Sequence, residues 1–172
     1  PLVQRREVLK RIVTRKPPAG LAGAPLLVHV LSAAKAASVE EICLVVGPGM
    51  DEVASVARGL DPGLAVFVQR EQRGTADAVK AAQDAFAGFA GPVIILYGDT
   101  PLLHPETIGL LRAALAEGAD LAVIGFETEE PAGYGRLLLD ERGTLIGIRE
   151  EKDASAAERA ITLCNSGIIG FG

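Results

Sequence analysis

From about residue 26 onward, apolar runs alternate with amphipathic segments. Leu26, Leu27, Val30 and Leu31 share one helical face and Pro25 suits a first turn, so a helix is predicted over 25–37. Ile42–Val46 reads as a short buried strand closed by Gly47-Pro48-Gly49. A helix over 51–59 follows, with Asp51 as its N-cap, then a strand over 65–69 and a helix over 75–86. The run Val93, Ile94, Ile95, Leu96 is continuously apolar and predicts a strand over 92–97 buried on both faces. A helix over 105–117 and a strand over 121–126 complete the alternation.

Strand–helix alternation of this kind implies an α/β fold, a mostly parallel sheet with helices on both faces. After Gly135 the pattern changes. Residues 136–139, the turn Arg142-Gly143 and residues 145–148 read as a β-hairpin, and 163–170 adds another strand. The expected architecture is thus a Rossmann-like sheet carrying a β-rich appendage. Residues 1–16 stand outside it. They hold Arg5, Arg6, Lys10, Arg11, Arg15 and Lys16, with Val8, Leu9, Ile12 and Val13 at helix-like spacing. This predicts a basic amphipathic helix or a leader, most simply a solvated face.

Composition narrows the function. With 172 residues, 49% of them hydrophobic and 23% charged, the chain suits one domain with a real core. A net charge of -5 argues against non-specific nucleic-acid binding as its main work, whereas a local cluster of lysines and backbone N–H groups still suffices for a phosphate. Cys43 and Cys164 lie in apolar runs with no metal-type spacing around them, and read as core thiols in a reducing compartment. No apolar run is long enough to span a bilayer and none resembles a signal peptide, so a cytoplasmic location is expected, without a membrane partner.

In an open parallel sheet, ligands bind at the carboxyl ends of the strands, so the residues that end strands are the candidates. Leu96-Tyr97-Gly98-Asp99-Thr100-Pro101 ends the most apolar strand in an acid, and Gly98 allows close approach to the backbone. A strand-end carboxylate is a sensible anchor for Mg²⁺, which keeps waters and phosphates as its other ligands; it is equally an ordinary turn residue before Pro101. Gln69-Arg70-Glu71-Gln72-Arg73-Gly74-Thr75-Ala76-Asp77-Ala78 carries amides that can pair with a base edge, and its Gly-Thr opens a helix, where Thr75 could serve simply as an N-cap. A third, scattered set is Gly133-Tyr134-Gly135-Arg136, Glu150-Glu151-Lys152-Asp153 and Asn165-Ser166-Gly167. Its carboxylates and amides suit hydroxyl recognition, although each piece alone is a common turn. His29 reads as a packed structural residue and His104 has no assigned role. No Ser-His-Asp or Cys-His arrangement supports covalent catalysis.

Taken in order, Gln69-x-x-Gln72-x-Gly74-Thr75, Tyr97-Gly98-Asp99-x-Pro101-Leu102, Gly133-Tyr134-Gly135-Arg136, Glu150-x-Lys152-Asp153-Ala154 and Asn165-Ser166-Gly167 resemble the motifs of N-acetylglucosamine-1-phosphate uridylyltransferase domains. The resemblance runs from about Lys16 to Gly172. It implies a nucleotidyltransferase fold whose appendage binds the sugar, and a cell-wall precursor reaction in peptidoglycan synthesis. UTP and N-acetylglucosamine 1-phosphate would give UDP-N-acetylglucosamine and pyrophosphate, with Mg²⁺ and no covalent intermediate. By that resemblance Gln69, Gly74 and Thr75 would hold the uracil, Tyr97 and Gly98 would line the ribose and sugar side, and Asp99 would bind Mg²⁺. Gly135, Glu150 and Asn165 would contact the N-acetylglucosamine. Lys16 falls where the family's phosphate-contacting lysine is expected, shortly before Leu21-Ala22-Gly23-Ala24-Pro25.

The sequence also departs from the family. Where a buried strand and a glycine-rich triphosphate loop are expected, it has Leu2-Val3-Gln4-Arg5-Arg6-Glu7-Val8-Leu9-Lys10, with none of the loop's glycines and no evident strand. The organisation expected is therefore an atypical basic leader over 1–15 and a partial nucleotidyltransferase domain over 16–172. The family's other half, a β-helix acetyltransferase that carries most trimer contacts, is absent, so a monomer or weak oligomer is expected. Two alternatives to the enzyme stand beside it: a degenerate, non-catalytic nucleotide-sugar binding homologue, and an inactive fragment. A relative acting on another sugar phosphate, or a molybdopterin cytidylyltransferase, is disfavoured by the Gln-x-x-Gln-x-Gly-Thr and Glu-x-Lys-Asp segments.

Overall fold

The computed structural model describes residues 8–14, 20–71 and 73–172. They divide into two compact units, one formed by the chain up to Ala122 together with Ile169–Gly172, the other by Val123–Ile168.

The first unit is a parallel sheet with helices between its strands. Strand β1 (Val8–Thr14) is followed by a two-residue ladder, β2 (Gly20–Leu21) with β3 (Ala24–Pro25), and by helix α1 (Leu26–Ala36). Then come β4 (Ile42–Val46), α2 (Asp51–Leu60), β5 (Ala65–Val68), α3 (Thr75–Ala81), a 3-10 turn at Gln83–Phe86, β6 (Val93–Tyr97) and α4 (Pro105–Ala116). Strand β7 (Leu121–Glu127) leads out of the unit, and the end of β10 (Leu163–Phe171) returns to it, with Ile169, Gly170 and Phe171 antiparallel to β6. The strand order is β5-β4-β1-β6, all parallel.

Burial explains why these segments take these forms. Cys43, Leu44, Val45 and Val46 are all buried, as are Ile94, Ile95 and Leu96, because both strands have neighbours on either edge and helices above and below. Cys43 and Val45 pack with Ala78 and Ala82 of the α3 region, flanked by Phe67, Ala81, Ala85 and Phe86. Side chains alternate along a strand, so Leu44 and Val46 face the opposite layer, where α1 packs on α2 and α4. Both cysteines are buried and neither forms a disulfide, in keeping with their reading as core residues.

The largest departure from the sequence pattern is β1. Residues 8–14, read above as a basic helix or leader, form the inner strand of the sheet, parallel to β4 on one edge and β6 on the other. A central strand is therefore present where the sequence pattern gave none. Apolar residues at 8, 9, 12 and 13 fit a helix because a spacing of four is close to one turn, but four is also two full strand periods. The register shifts between Leu9 and Ile12 against both neighbours, so a bulge falls at the two basic residues between them. Two rows of backbone hydrogen bonds available to a central strand outweigh a marginal helical preference. Smaller differences have local causes. Met50 holds the N-cap position of α2, so Asp51 is its first helical residue, where its charge suits the helix dipole. The helix expected over 75–86 breaks after Ala81 into the 3-10 turn.

The second unit is antiparallel. Strands β8 (Arg136–Leu139) and β9 (Leu145–Arg149) form the expected hairpin, closed by Asp140, whose Oδ1 accepts from the N–H groups of Arg142 and Thr144. Cys164 of β10 pairs with Arg136 of β8, and β7 pairs with β10. A Cβ on Gly125 would stand 2.7 Å from Leu137 Cδ1, so any larger residue there would force the Leu137 side chain to move. A 3-10 turn at Glu151–Asp153 and a one-turn helix α5 (Ala156–Arg159) fill the connection from β9 to β10.

Ile12→Pro tests the central place of β1. Proline removes an N–H from a strand bonded on both edges, and each carbonyl left without its donor costs about 1–3 kcal/mol. Urea unfolding is expected to shift to clearly lower midpoint; an unchanged midpoint would place residues 8–14 outside the cooperative structure.

Candidate functional site

The strand order locates the first cluster. From β1 the chain builds outward through β4 to β5, then crosses back to place β6 on the other side of β1. Strand order thus reverses between β1 and β6, and ligands of open α/β sheets sit outside the carboxyl ends of the strands at such a reversal. Thr14 pairs level with Val46, Val46 with Val68, and Val13 with Tyr97, so the strand ends form one edge. Tyr97, Gly98 and Asp99 therefore lie at the reversal itself. Lys16 and Gln72 lie outside the described residues.

Asp99 is exposed in the turn that follows β6. The turn is held from inside by Thr100, whose hydroxyl donates to the Tyr97 carbonyl at 2.8 Å. Among the described residues the Asp99 carboxylate takes part in no ion pair or hydrogen bond, and no cluster of three metal-ligating side chains occurs. A single open carboxylate does not make a closed metal cage. It fits a hard cation that arrives with a phosphate and keeps most of its water, as Mg²⁺ does.

The second cluster meets the first through one bond. Thr75 is not an N-cap; Gly74 holds that position at φ 117, and Thr75 begins α3. Its Oγ1 lies 3.1 Å from the phenol oxygen of Tyr97, joining the β5–α3 loop to the end of β6 across 22 residues of sequence. Gln69 directly follows β5 and is 4% exposed. Its backbone N–H donates to Val46, and its amide nitrogen donates to the Gly74 carbonyl at 3.0 Å and to Asp77 Oδ2 at 2.9 Å. Both partners are acceptors, which fixes the end of the amide that carries nitrogen. Among the described residues, apart from its chain neighbours, none comes within 4 Å of where a Cβ would stand on Gly74, so this side of its backbone is open to a flat group.

The third set converges within the second unit. The Asn165 N–H donates to the Gly135 carbonyl at 2.8 Å, and a Cβ on Gly135 would stand 3.6 Å from Glu150 Oε1. Asn165 Oδ1 accepts from the Gly167 N–H at 2.9 Å, which leaves its NH₂ as a donor. Beneath them lies Arg136, 1% exposed. Its guanidinium donates to the carbonyls of Ile161, Tyr134 and Arg159 and to Glu151 Oε2 at 2.7 Å. A buried charge needs this many partners. Arg136 thereby ties the Tyr134–Gly135 turn to the turn bearing Glu150 and Glu151.

Arg136 and Asp77 stand within the clusters that the sequence pattern picked out, but it gave neither a role of its own. The signal for Arg136 was a charge heading the apolar run Leu137-Leu138-Leu139. For Asp77 nothing in the cluster marked Gln69 as its partner, because acids are common in a helix's first turn. His29 is structural as expected, its Nε2 lying 2.9 Å from the Leu21 carbonyl oxygen, and His104 is exposed. A cleft rimmed by Glu40, Glu41 and Asp61 lies at the amino ends of β4 and β5, the opposite edge from Asp99.

Comparison with known proteins accords with this geometry. A model of the MobA-like NTP transferase domain matches residues 10–161. The chain belongs to that family. Among relatives of this transferase domain, the bifunctional protein GlmU of Bradyrhizobium sp. (strain ORS 278) is 54% identical over 151 residues, covering 88% of this chain and 34% of the relative. GlmU of Xanthobacter autotrophicus is 51% identical over 153 residues, and that of Nitrobacter hamburgensis 49% over 151, with 88% of this chain covered in each case and 34% and 33% of the relatives. The chain spans about a third of the length of these relatives. A CMP:2-keto-3-deoxy-manno-octonic acid synthetase solved with CTP shares the fold, with a TM-score of 0.71 at 16% identity, covering 96% of this chain and 73% of that one. Nucleotidyl transfer on a Rossmann-like α/β sheet is thus the work of this domain family. Among the described residues, no helix is long and apolar enough to cross a membrane.

One titration in the second unit is accessible to measurement. Ser155 and Glu158 form a capping box on α5, and Arg149 also bonds Glu158. The Ser155 backbone N–H and hydroxyl, then Arg149, hold the Glu158 carboxyl down to about 2 from 4.5. A depressed carboxylate stabilises the fold above its unfolded value and loses that contribution as pH falls toward its folded value. Glu158→Gln is therefore expected to lower the thermal midpoint at pH 7, with the gap to wild type closing between about pH 4.5 and pH 2. A gap that persists at pH 2 would show that Glu158 does not act through its charge.

Proposed function

We propose that this domain transfers the uridylyl group of UTP to N-acetylglucosamine 1-phosphate, giving UDP-N-acetylglucosamine and pyrophosphate. The observation that carries the reading is the Thr75–Tyr97 bond, which sets the Gln69–Thr75 loop beside the strand end that bears Asp99, at the reversal of strand order. Relatives near 50% identity carry the name bifunctional protein GlmU, which supports the same choice of chemistry.

In this reading each residue has a defined task. Gln69 spends both amide hydrogens inside the protein, so its carbonyl oxygen is the end that receives the N3–H of uracil. The open Gly74 backbone accepts the flat base, and the Thr75 and Tyr97 hydroxyls bound the ribose side. The Gly98 backbone allows the nucleotide to approach the strand end. Asp99 would hold Mg²⁺, and Lys16, two positions after the last residue of β1, would contact phosphate. A bound Mg²⁺ neutralises the triphosphate and the departing pyrophosphate. The sugar's phosphate oxygen attacks the α-phosphorus in line as the bond to pyrophosphate breaks, so the protein works chiefly by positioning. Gly135, Glu150 and Asn165 are assigned to N-acetylglucosamine. The Asn165 NH₂ suits the acetamido carbonyl, the Glu150 carboxylate suits ring hydroxyls, and a side chain at position 135 would stand against that carboxylate. The product is a precursor for cell-wall synthesis, and the substrates imply a cytoplasmic enzyme that works as a monomer or weak oligomer in this form.

The test is pyrophosphate release from UTP and N-acetylglucosamine 1-phosphate with Mg²⁺, beside calorimetric titration with UDP-N-acetylglucosamine. Asp99→Ala is expected to lower turnover on the order of a hundredfold or more, and chelation of the metal to abolish it. Binding without turnover in the unmodified protein would favour a non-catalytic nucleotide-sugar module. Absence of binding would refute both.

A further inference from the structure

We propose that Asp77 is the residue through which the domain chooses its base, a positioning residue that holds the Gln69 amide in the orientation that accepts uracil and refuses cytosine. The inference rests on the uridylyl reading and deepens it. Gln69 is nearly enclosed, and its amide nitrogen has two acceptors, the Gly74 carbonyl and Asp77 Oδ2. Its Oε1 takes no hydrogen bond among the described residues. It is the atom left for a ligand.

Uracil presents a hydrogen on N3, whereas cytosine presents a lone pair there. An amide carbonyl attracts the first and repels the second. An unconstrained glutamine would discriminate poorly, because a half-turn of its terminal amide exchanges the carbonyl for an N–H. In this protein the half-turn would bring Oε1 against the Gly74 carbonyl oxygen and the Asp77 carboxylate. Three acceptors would then face one another with no hydrogen among them, and one of them carries a charge, in surroundings where an unmade bond is costly. The Gly74 carbonyl alone cannot be varied by a side chain, so Asp77 is the adjustable part of the lock.

The competing explanation is that Asp77 simply stabilises the first turn of α3. It predicts equal loss for every nucleotide, and so the ratio of affinities separates the two. Asp77→Asn keeps the size of the side chain but offers either an oxygen or an NH₂ to Gln69, which removes the penalty for turning. Calorimetric titration with UTP and CTP, in the presence of Mg²⁺, is expected to show the unmodified protein preferring UTP. The preference should fall at least about tenfold in Asp77→Asn, partly through improved CTP binding. Asp77→Glu, which restores a carboxylate, should recover most of it and shows that the site still folds. A preference unchanged in Asp77→Asn would overturn the proposal while leaving the uridylyl reading intact. An unmodified protein that binds UTP no better than CTP would overturn both.

Discussion

The structure of the first unit depends on β1 being hydrogen-bonded along both edges. Remove that strand and β4 and β6 lose their common neighbour, the sheet has two new open edges, and the reversal of strand order that locates Asp99 disappears. The constraint also accounts for the apolar continuity of β4 and β6. A strand enclosed between two neighbours and two helical layers has no face left for polar residues, and Cys43–Val46 and Ile94–Leu96 are buried accordingly.

How much of this was legible in the sequence depended on whether a segment's own pattern carried the decisive force. For β4, β6 and the hairpin of β8 and β9 it did, since uninterrupted apolar runs and the Asp140–Gly143 turn leave few alternatives. For β1 it did not. Its pairs of apolar residues flank Lys10 and Arg11 at a spacing shared by helix and bulged strand, and the pairing partners that decide between them lie 32 to 85 residues away. The candidate site shows the same division. Asp99, Gly74 and Gly135 could be picked out because a strand-end acid and motif glycines mark themselves locally. The bonds from Thr75 to Tyr97 and from Gln69 to Asp77 were beyond reach, because a hydroxyl or an amide in a sequence does not declare its partner.

The second unit solves a different problem with a charge. Its core is small, and the connection bearing Glu150 has only a 3-10 turn and one turn of helix to hold it. Arg136 supplies what apolar burial cannot. Five-donor geometry allows one guanidinium to satisfy three carbonyls, from the Tyr134 turn and the Arg159–Ile161 stretch, and the Glu151 carboxylate together. Such an arrangement adds little net stability, since dehydrating the charge offsets most of the attraction. Its effect is on geometry: each donor left empty would be costly, so the loops can close in only one way.

The same accounting decides what each unit has left to offer a ligand. A side chain in a folded site can present only those atoms that the fold has not already used. Gln69 has committed its hydrogens and retains an acceptor, and Asp99 retains an anionic acceptor. Asn165 has committed its carbonyl to Gly167 and retains two hydrogens. The first unit therefore suits a partner that brings a donor and a cation, as a uracil nucleotide carried with Mg²⁺ does. The second, with the Asn165 donor near the Glu150 acceptor, suits a partner rich in both, as an acetamido sugar is. Internal hydrogen bonds that look merely structural thus set the polarity of the binding atoms, and a substitution one residue behind a contact can change specificity without touching the ligand.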